Sequence, residues 1–414
     1  MTDSVAVVGA GLAGATIVRT LRERGFTGRV SLIGDEVHLP YERPMLSKEF
    51  LTTGVTRDAL QVRPMAQYEA DEIELVLGRR AIRVLPGVGV QIEGGAVVPA
   101  DHVFLCTGVR PRSLPVRGSE LPGVISIRNL EDAEALREAV ARGDRTVVVG
   151  EGFIGSEVAA TLAGRGAADV TLLMGGELPM QPAMGPEAGA WLLAEHRKSG
   201  IAVRERSSIR SIGGGNRAES VELTDGTVIR AGSVVMAVGC EPNVDLAIDT
   251  GLVLDDGVLV DSRGLTSSAR VHAVGDIARF PSATFGRTLR VEHWQHAQQH
   301  AQVAAAALVG DGDIYDGVPW AWSVQHGHRI EIAGLPWAGD TTWRRGDPNG
   351  PDGALWISGR AGRIIGAVSV NRRRELRAVL RALRRAPVVV VGDAGELADS
   401  DSDLRMLLDA MASA

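Results

Sequence analysis

Cysteine is almost absent from this 414-residue chain: Cys106 and Cys240 are the only two, far apart in sequence. That excludes a disulfide framework, a four-cysteine metal site and a C-x-x-C redox pair. Lysine is equally scarce, since Lys48 and Lys198 are the only lysines among 44 basic residues and the rest are arginine. A basic excess is missing as well. The net charge is −7, which argues against nucleic acid as a partner, because that binding needs a basic footprint. No apolar run reaches the roughly 18 residues of a membrane-spanning helix. The N-terminus, Met1-Thr2-Asp3-Ser4, carries an acid and enters an apolar strand at once, unlike a signal peptide. A soluble cytoplasmic protein with no membrane contact is expected.

What is abundant is glycine, at 51 residues. There is neither a collagen period nor a Gly/Ser linker, so the excess suggests tight turns and close backbone approach to ligands. Hydrophobic residues at 45% and charged residues at 23% are ordinary for a globular chain. The length suggests two to four domains.

The chain repeats itself. Residues 5–14 read VAVVGAGLAG and residues 146–155 read TVVVGEGFIG. Each is a short apolar strand running into a glycine loop. A helical stripe follows both times: Ile17, Val18 and Leu21 ending at Gly25, then Val158 and Leu162 ending near Gly166. A second strand closes each unit, RVSLIG at 29–34 and DVTLLM at 169–174. Strand, helix and strand within about 30 residues imply parallel pairing in a doubly wound α/β sheet. VFLCTGVRP at 103–111 and VVMAVGCEP at 234–242 end the two halves alike. Two Rossmann-like dinucleotide-binding domains are the simplest account. Residues 319–414 differ, with Trp320, Trp322, Trp337, Trp343 and Trp356, alternating strand patterns, and helical ends at 372–385 and 403–412. They read as a separate α+β domain.

Gly9-x-Gly11-x-x-Gly14 follows a strand and opens a helix. In such a loop the first glycine makes the turn, the second lets the backbone approach a pyrophosphate, and the third permits close helix packing. The phosphates then meet free N–H groups at the positive end of the helix dipole. Asp35 falls 21 residues after Gly14, where a carboxylate can accept from ribose hydroxyls. Gly150, Gly152 and Gly155 repeat the loop, and Glu157 follows in what the pattern places as the first helical turn.

The stretch 38–51 reads HLPYERPMLSKEFL. With Asp35, its R-P-x-L-S-K element resembles the FAD-dependent, NADH-oxidising reductases that feed small ferredoxins in aromatic-ring dioxygenase and cytochrome P450 systems, especially the toluene and biphenyl dioxygenase type. The resemblance covers essentially the whole chain. It implies a glutathione-reductase-like arrangement: an FAD domain at 1–113 and 243–318, an NADH domain at 114–242, and a C-terminal domain at 319–414. It implies that Arg43 and Arg128 contact FAD and that Asp276, of the Gly275-Asp276 motif, binds the ribityl chain. It also implies that Glu292 and Trp294 lie along the flavin, with Trp322 near the same ring. Lys48 would sit beside the flavin and pair with Glu157 next to the nicotinamide. A cation there favours hydride acceptance by the flavin. For Arg128 a plain helix-entry charge, and for each tryptophan a core role, stay open.

One position departs from the family. NADH-specific members carry an acid at the end of the second strand, where this chain reads Met174-Gly175-Gly176 and the first acid is Glu177. No Arg or Lys lies between Arg165 and Arg197 to clamp a 2′-phosphate, so NADH remains the expected cofactor and NADPH is the less favoured. Disulfide-reducing relatives carry a cysteine pair after the first loop, which is missing here, so the remaining exits for electrons are an external acceptor or oxygen. The resemblance implies a 2Fe–2S ferredoxin that serves an oxygenase. An NADH oxidase and a non-catalytic flavin-binding sensor or interaction protein stay as alternatives.

His293, His296 and His300 have helical spacing, but no second cluster completes a ligand set, and no metal is expected. His326 and His328 read as turn residues. The helix at 371–387 has an apolar stripe at Leu376, Val379, Leu380 and Leu383, with Arg377, Arg381 and Arg384 on another face. That face is either solvated or a dock for an acidic ferredoxin.

Overall fold

Ser4–Val8 and Thr146–Val149, the two apolar strands of the repeat, each become the middle of a five-stranded parallel sheet. The structure is a computed structural model that describes residues 4–51, 54–166, 169–385, 389–390 and 394–411. The chain divides into two compact units. One comprises Met1–Glu42, Arg57–Arg110 and Glu241–Pro319; the other comprises Arg43–Thr56, Pro111–Cys240 and Trp320–Ala414. The segment at 43–56 therefore groups with 111–240 and 320–414.

In the first unit the strand order is Val271–Ala273, His102–Leu105, Ser4–Val8, Arg29–Ile33, Ile73–Val76, parallel throughout. Strands buried on both faces read as continuous apolar runs, as these do. The helix Leu12–Glu23 buries Ile17, Val18 and Leu21 against the sheet. It ends where Gly25 takes a φ of 80° and the Phe26 N–H reaches back to the Leu21 carbonyl, a turn that favours glycine.

The second unit repeats this plan in the order Ala202–Arg204, Val170–Leu173, Thr146–Val149, Ser233–Met236, Val124–Ile125, again all parallel. Its helix is Phe153–Gly164. Glu157 is thus the fifth helical residue rather than part of the first turn as expected. The helix starts earlier because Gly152 takes the cap position, and Glu157 lies beyond the reach of a simple N-terminal charge effect.

The same unit holds an antiparallel sheet: Trp320–Gln325, His328–Gly334, Arg363–Val370, Ala354–Arg360 and Thr341–Gly346, in that order. The helix Arg373–Arg385 buries Leu376, Val379 and Leu383, leaves Leu380 partly covered, and exposes Arg377, Arg381 and Arg384. The helix expected at 403–412 runs Leu404–Met411, with residue 412 outside the described residues. Arg345 ties this end together. It is fully buried and donates to Glu375, to the carbonyls of Glu396 and Leu397, and to Ser402. Among the described residues no helix is long and apolar enough to cross a membrane.

Candidate functional site

Both glycine loops divide their labour as the spacing demands. Gly9 has φ 114°, and a Cβ there would fall 2.2 Å from the Cys106 carbonyl oxygen. A Cβ on Gly14 would fall 2.1 Å from the Gly9 carbonyl oxygen. Both positions are closed to any side chain. Gly11 is different: a Cβ there would have nothing within 4 Å. The second loop matches, with Gly150 at 2.1 Å from the Ala237 oxygen, Gly155 at 1.9 Å from the Gly150 oxygen, and Gly152 facing clear space. In each unit, then, a bare backbone loop opens onto space at the positive end of a helix. Among the described residues, neither helix has a side-chain cap or an acid in its first turn. Residues of this kind fit the pyrophosphate of a dinucleotide.

Around the first loop the structure places Asp35 exposed, two residues past the strand Arg29–Ile33. The turn Gly275–Ile277 carries Asp276, and a Cβ on Gly275 would lie 3.3 Å from the Ala13 methyl. Gly275 thus packs beside the first turn of the helix Leu12–Glu23, and Asp276 follows it in the chain. The histidines that mimicked a metal site hold this turn. The Gly275 N–H donates to His300 Nδ1 at 3.4 Å, and the Gly275 carbonyl lies 3.3 Å from His296 Nε2. His296 Nδ1 in turn pairs with the Tyr315 hydroxyl at 2.8 Å. Burial lowers the His300 pKa to about 3 and that of His296 well below its usual value, so both are neutral. Trp294 opens the helix Trp294–Leu308, and its indole N–H donates to Glu42. Burial raises the pKa of Glu42, and that hydrogen bond opposes the rise. Glu292 accepts from Arg290.

In the second unit the carboxylate of Glu157 is the hub. It is buried, 2% exposed, and Lys48 beside it is 8% exposed. Lys48 Nζ lies 2.6 Å from Glu157 Oε2 and also donates to the Pro44 carbonyl at 2.9 Å. Ser47 donates to the same Glu157 oxygen at 2.5 Å, and Ser323 donates to Oε1 at 2.7 Å. Gln325 donates to the Ser323 hydroxyl at 2.9 Å. Three donors satisfy the charge, as a buried carboxylate requires. Further along the same helix, Thr161 donates to the Ser47 carbonyl at 3.0 Å, and Arg165 donates to the Leu51 carbonyl. Glu157, Thr161 and Arg165 are spaced four apart, so one helix face holds the whole segment. The sequence reading missed Ser47, Thr161 and Ser323. The four-residue spacing was a signal for Thr161; only the sheet's pleat, which turns Ala321, Ser323 and Gln325 to one buried face, reveals Ser323.

Arg43 and Arg128 meet through backbone, as Arg43 Nη1 donates to the Arg128 carbonyl at 2.6 Å. Arg128 precedes a capping box in which the Asn129 side chain accepts from the Asp132 N–H and Asp132 accepts from the Asn129 N–H. Trp322 is half-buried on the opposite face of its strand from Ser323 and stacks on Trp320 with ring centroids 5.3 Å apart. At the second strand end Met174 is fully buried. Arg206 ion-pairs with Glu177 beside it, a cation near this strand end that linear distance had hidden.

The pyridine nucleotide-disulphide oxidoreductase family model matches residues 3–301, and the reductase C-terminal model matches residues 320–408. The chain is 34% identical to rhodocoxin reductase of Rhodococcus erythropolis, over 98% of this chain and 94% of that protein. It is also 34% identical to the biphenyl dioxygenase system ferredoxin–NAD(+) reductase component of Paraburkholderia xenovorans, over 99% of each. Among solved structures, the ferredoxin reductase for the CYP199A2 system from Rhodopseudomonas palustris superposes with a TM-score of 0.91 at 34% identity, covering 98% of this chain and 99% of that one. Putidaredoxin reductase in its covalent complex with putidaredoxin gives a TM-score of 0.92 at 30% identity, covering 100% and 99%.

Proposed function

This chain belongs to the pyridine nucleotide-disulphide oxidoreductase family, in its ferredoxin reductase branch, and from that premise we propose that it carries electrons from NADH through FAD to a 2Fe–2S ferredoxin serving an oxygenase. The observation that carries the reading is the pair of glycine cradles, each with its second glycine facing clear space. One dinucleotide per cradle is the economical assignment. FAD takes the loop at Gly9, Gly11 and Gly14, with Asp35 on its ribose and Asp276 on its ribityl chain. NADH takes the loop at Gly150, Gly152 and Gly155. Residues 1–113 and 243–318 then form the FAD domain, 114–242 the NADH domain, and 319–414 the C-terminal domain.

The chemistry a bound flavin supplies is acceptance of a hydride from reduced nicotinamide and release of its electrons one at a time. The chain's part is positioning and charge. Backbone N–H groups of the two loops hold the pyrophosphates. Glu157 and the Pro44 carbonyl fix the Lys48 ammonium in a water-poor setting. A cation so fixed stabilises negative charge that develops on a flavin beside it. Arg43, Arg128, Glu292, Trp294 and Trp322 are assigned to the flavin's surroundings. The exposed Arg377, Arg381 and Arg384 present a basic face that would speed encounter with an acidic ferredoxin.

The test is reduction of a purified 2Fe–2S ferredoxin by the holoprotein with NADH and with NADPH, followed by the ferredoxin's visible absorbance. Rapid reduction with NADH supports the reading. Steady NADH consumption in air with no ferredoxin reduced would replace it with an oxidase.

A further inference from the structure

The two cradles place their acids differently. The strand register pairs Val8 with Ile33 and Val149 with Leu173. The Gly9 N–H donates to the Ile33 carbonyl at 2.8 Å, and the Gly150 N–H donates to the Leu173 carbonyl at 2.9 Å. The repeats therefore align residue by residue. Ala10 corresponds to Glu151, Asp35 to Gly175, and Glu36 to Gly176. In the first cradle the loop residue is small and the strand end is acidic. In the second the loop residue is acidic and the strand end is glycine. The acid missing at the second strand end has its counterpart across the loop.

The side chain of Glu151 reaches that strand end. The Gly175 N–H donates to one carboxylate oxygen at 3.1 Å and the Gly176 N–H to the other at 2.9 Å. A Cβ on Gly176 would lie 3.1 Å from Glu151 Oε1, so glycine there makes room for the carboxylate. Each oxygen accepts one of these N–H groups and keeps a lone pair for another donor. A vicinal diol offers two hydroxyl donors with matching spacing. In a dinucleotide-binding unit the strand end is where the adenosine ribose lies. A 2′-phosphate at the same place would bring about −1.5 to −2 charge against a carboxylate. The nearby cation, Arg206, is engaged by Glu177.

Resting on the reading of the second loop as the nicotinamide dinucleotide cradle, we propose that Glu151 is the ribose-binding and NADH-selecting residue of this chain, doing from the glycine loop what Asp35 is placed to do from the strand end of the first cradle. Gly175 lies outside the left-handed backbone region, and the nearest atom a Cβ there would meet is 4.0 Å away. An aspartate fits at that position, so the acid can be moved back.

The experiment is calorimetric titration of the oxidised holoprotein with NAD+ and NADP+, which reads binding without turnover. Wild type is expected to prefer NAD+. Glu151→Ala should weaken NAD+ by about tenfold or more, the loss of hydrogen bonds to a charged acceptor, without weakening NADP+. The double variant Glu151→Ala/Gly175→Asp should recover NAD+ binding and the preference. Unchanged NAD+ affinity in Glu151→Ala would overturn the inference while leaving the reductase reading intact. So would a loss that the double variant fails to recover, since that marks a collapsed loop. Wild type that binds neither nucleotide would overturn both this inference and the assignment of the second cradle.

Discussion

Replacing Glu157 with glutamine removes one charge from the middle of the second unit and keeps its shape. In the structure that charge accepts from Lys48 at 2.6 Å, Ser47 at 2.5 Å and Ser323 at 2.7 Å, with the acid and the lysine both buried. Without it the Lys48 ammonium keeps a neutral carbonyl, that of Pro44, and the incoming amide turns N–H groups toward hydroxyls that already donate. Breaking a buried pair by removing one partner costs about 3–5 kcal/mol. The loss falls on the helix Phe153–Gly164 and on the segment Arg43–Leu51 held to it by Thr161 and Arg165. A chain with two units is poorly served by one global unfolding energy. Amide hydrogen exchange, read peptide by peptide, reports the local opening free energy instead. Glu157→Gln should speed exchange in those two segments by about 10²- to 4 × 10³-fold at 1.4 kcal/mol per decade. Adding Lys48→Met removes the stranded charge, so the double variant should exchange more slowly than Glu157→Gln alone. If the two substitutions add, or if Glu157→Gln exchanges like wild type, the hub is not what holds these elements together.

Lys48→Ala should slow flavin reduction by NADH, followed by stopped-flow bleaching, more than it weakens FAD retention, because the lysine's role here is charge and not attachment. Gly11→Ala should give a folded protein with reduced FAD content after gel filtration, since its Cβ enters clear space, whereas Gly14→Ala should fail to fold, its Cβ meeting the Gly9 carbonyl at 2.1 Å. Acid should destabilise the fold through its buried histidines. Burial lowers the pKa of His196 and His300 to about 3 and that of His272 to about 4, all below the unfolded value of about 6.5. The unfolded chain therefore takes up the protons first as pH falls. The stability is fully present above about pH 6.5 and is lost progressively toward the folded values, at about 2 kcal/mol per histidine by pH 5. Urea midpoints at pH 7 and pH 5 measure this, and FAD should be released early on the acid side because His296 and His300 hold the Gly275–Asp276 turn.

The parallel sheets were legible because buried strands read as apolar runs and glycine loops announce the turn into a helix. The strand and helix limits at Ser4–Val8, Leu12–Glu23 and Thr146–Val149 follow from those patterns. The partners of the candidate residues were not legible. Lys48 and Glu157 are 109 positions apart and Ser323 is a further 166 away from Glu157, so nothing local in the sequence joins them. Glu151 fills an unspecified position of the Gly-x-Gly loop, and its meaning needed the contacts that set Gly175 and Gly176 against it. The spacing of His296 and His300 reflects a helix face packed under a turn, a role that periodicity alone does not distinguish from a ligand pair.

The most direct measurement of the central claim is an anaerobic titration of the purified holoprotein with NADH, watched in the visible region. One equivalent of NADH per bound FAD should bleach the yellow absorbance completely. A colourless protein, or a flavin band that persists at millimolar NADH, would contradict the assignment of two dinucleotides to the two cradles.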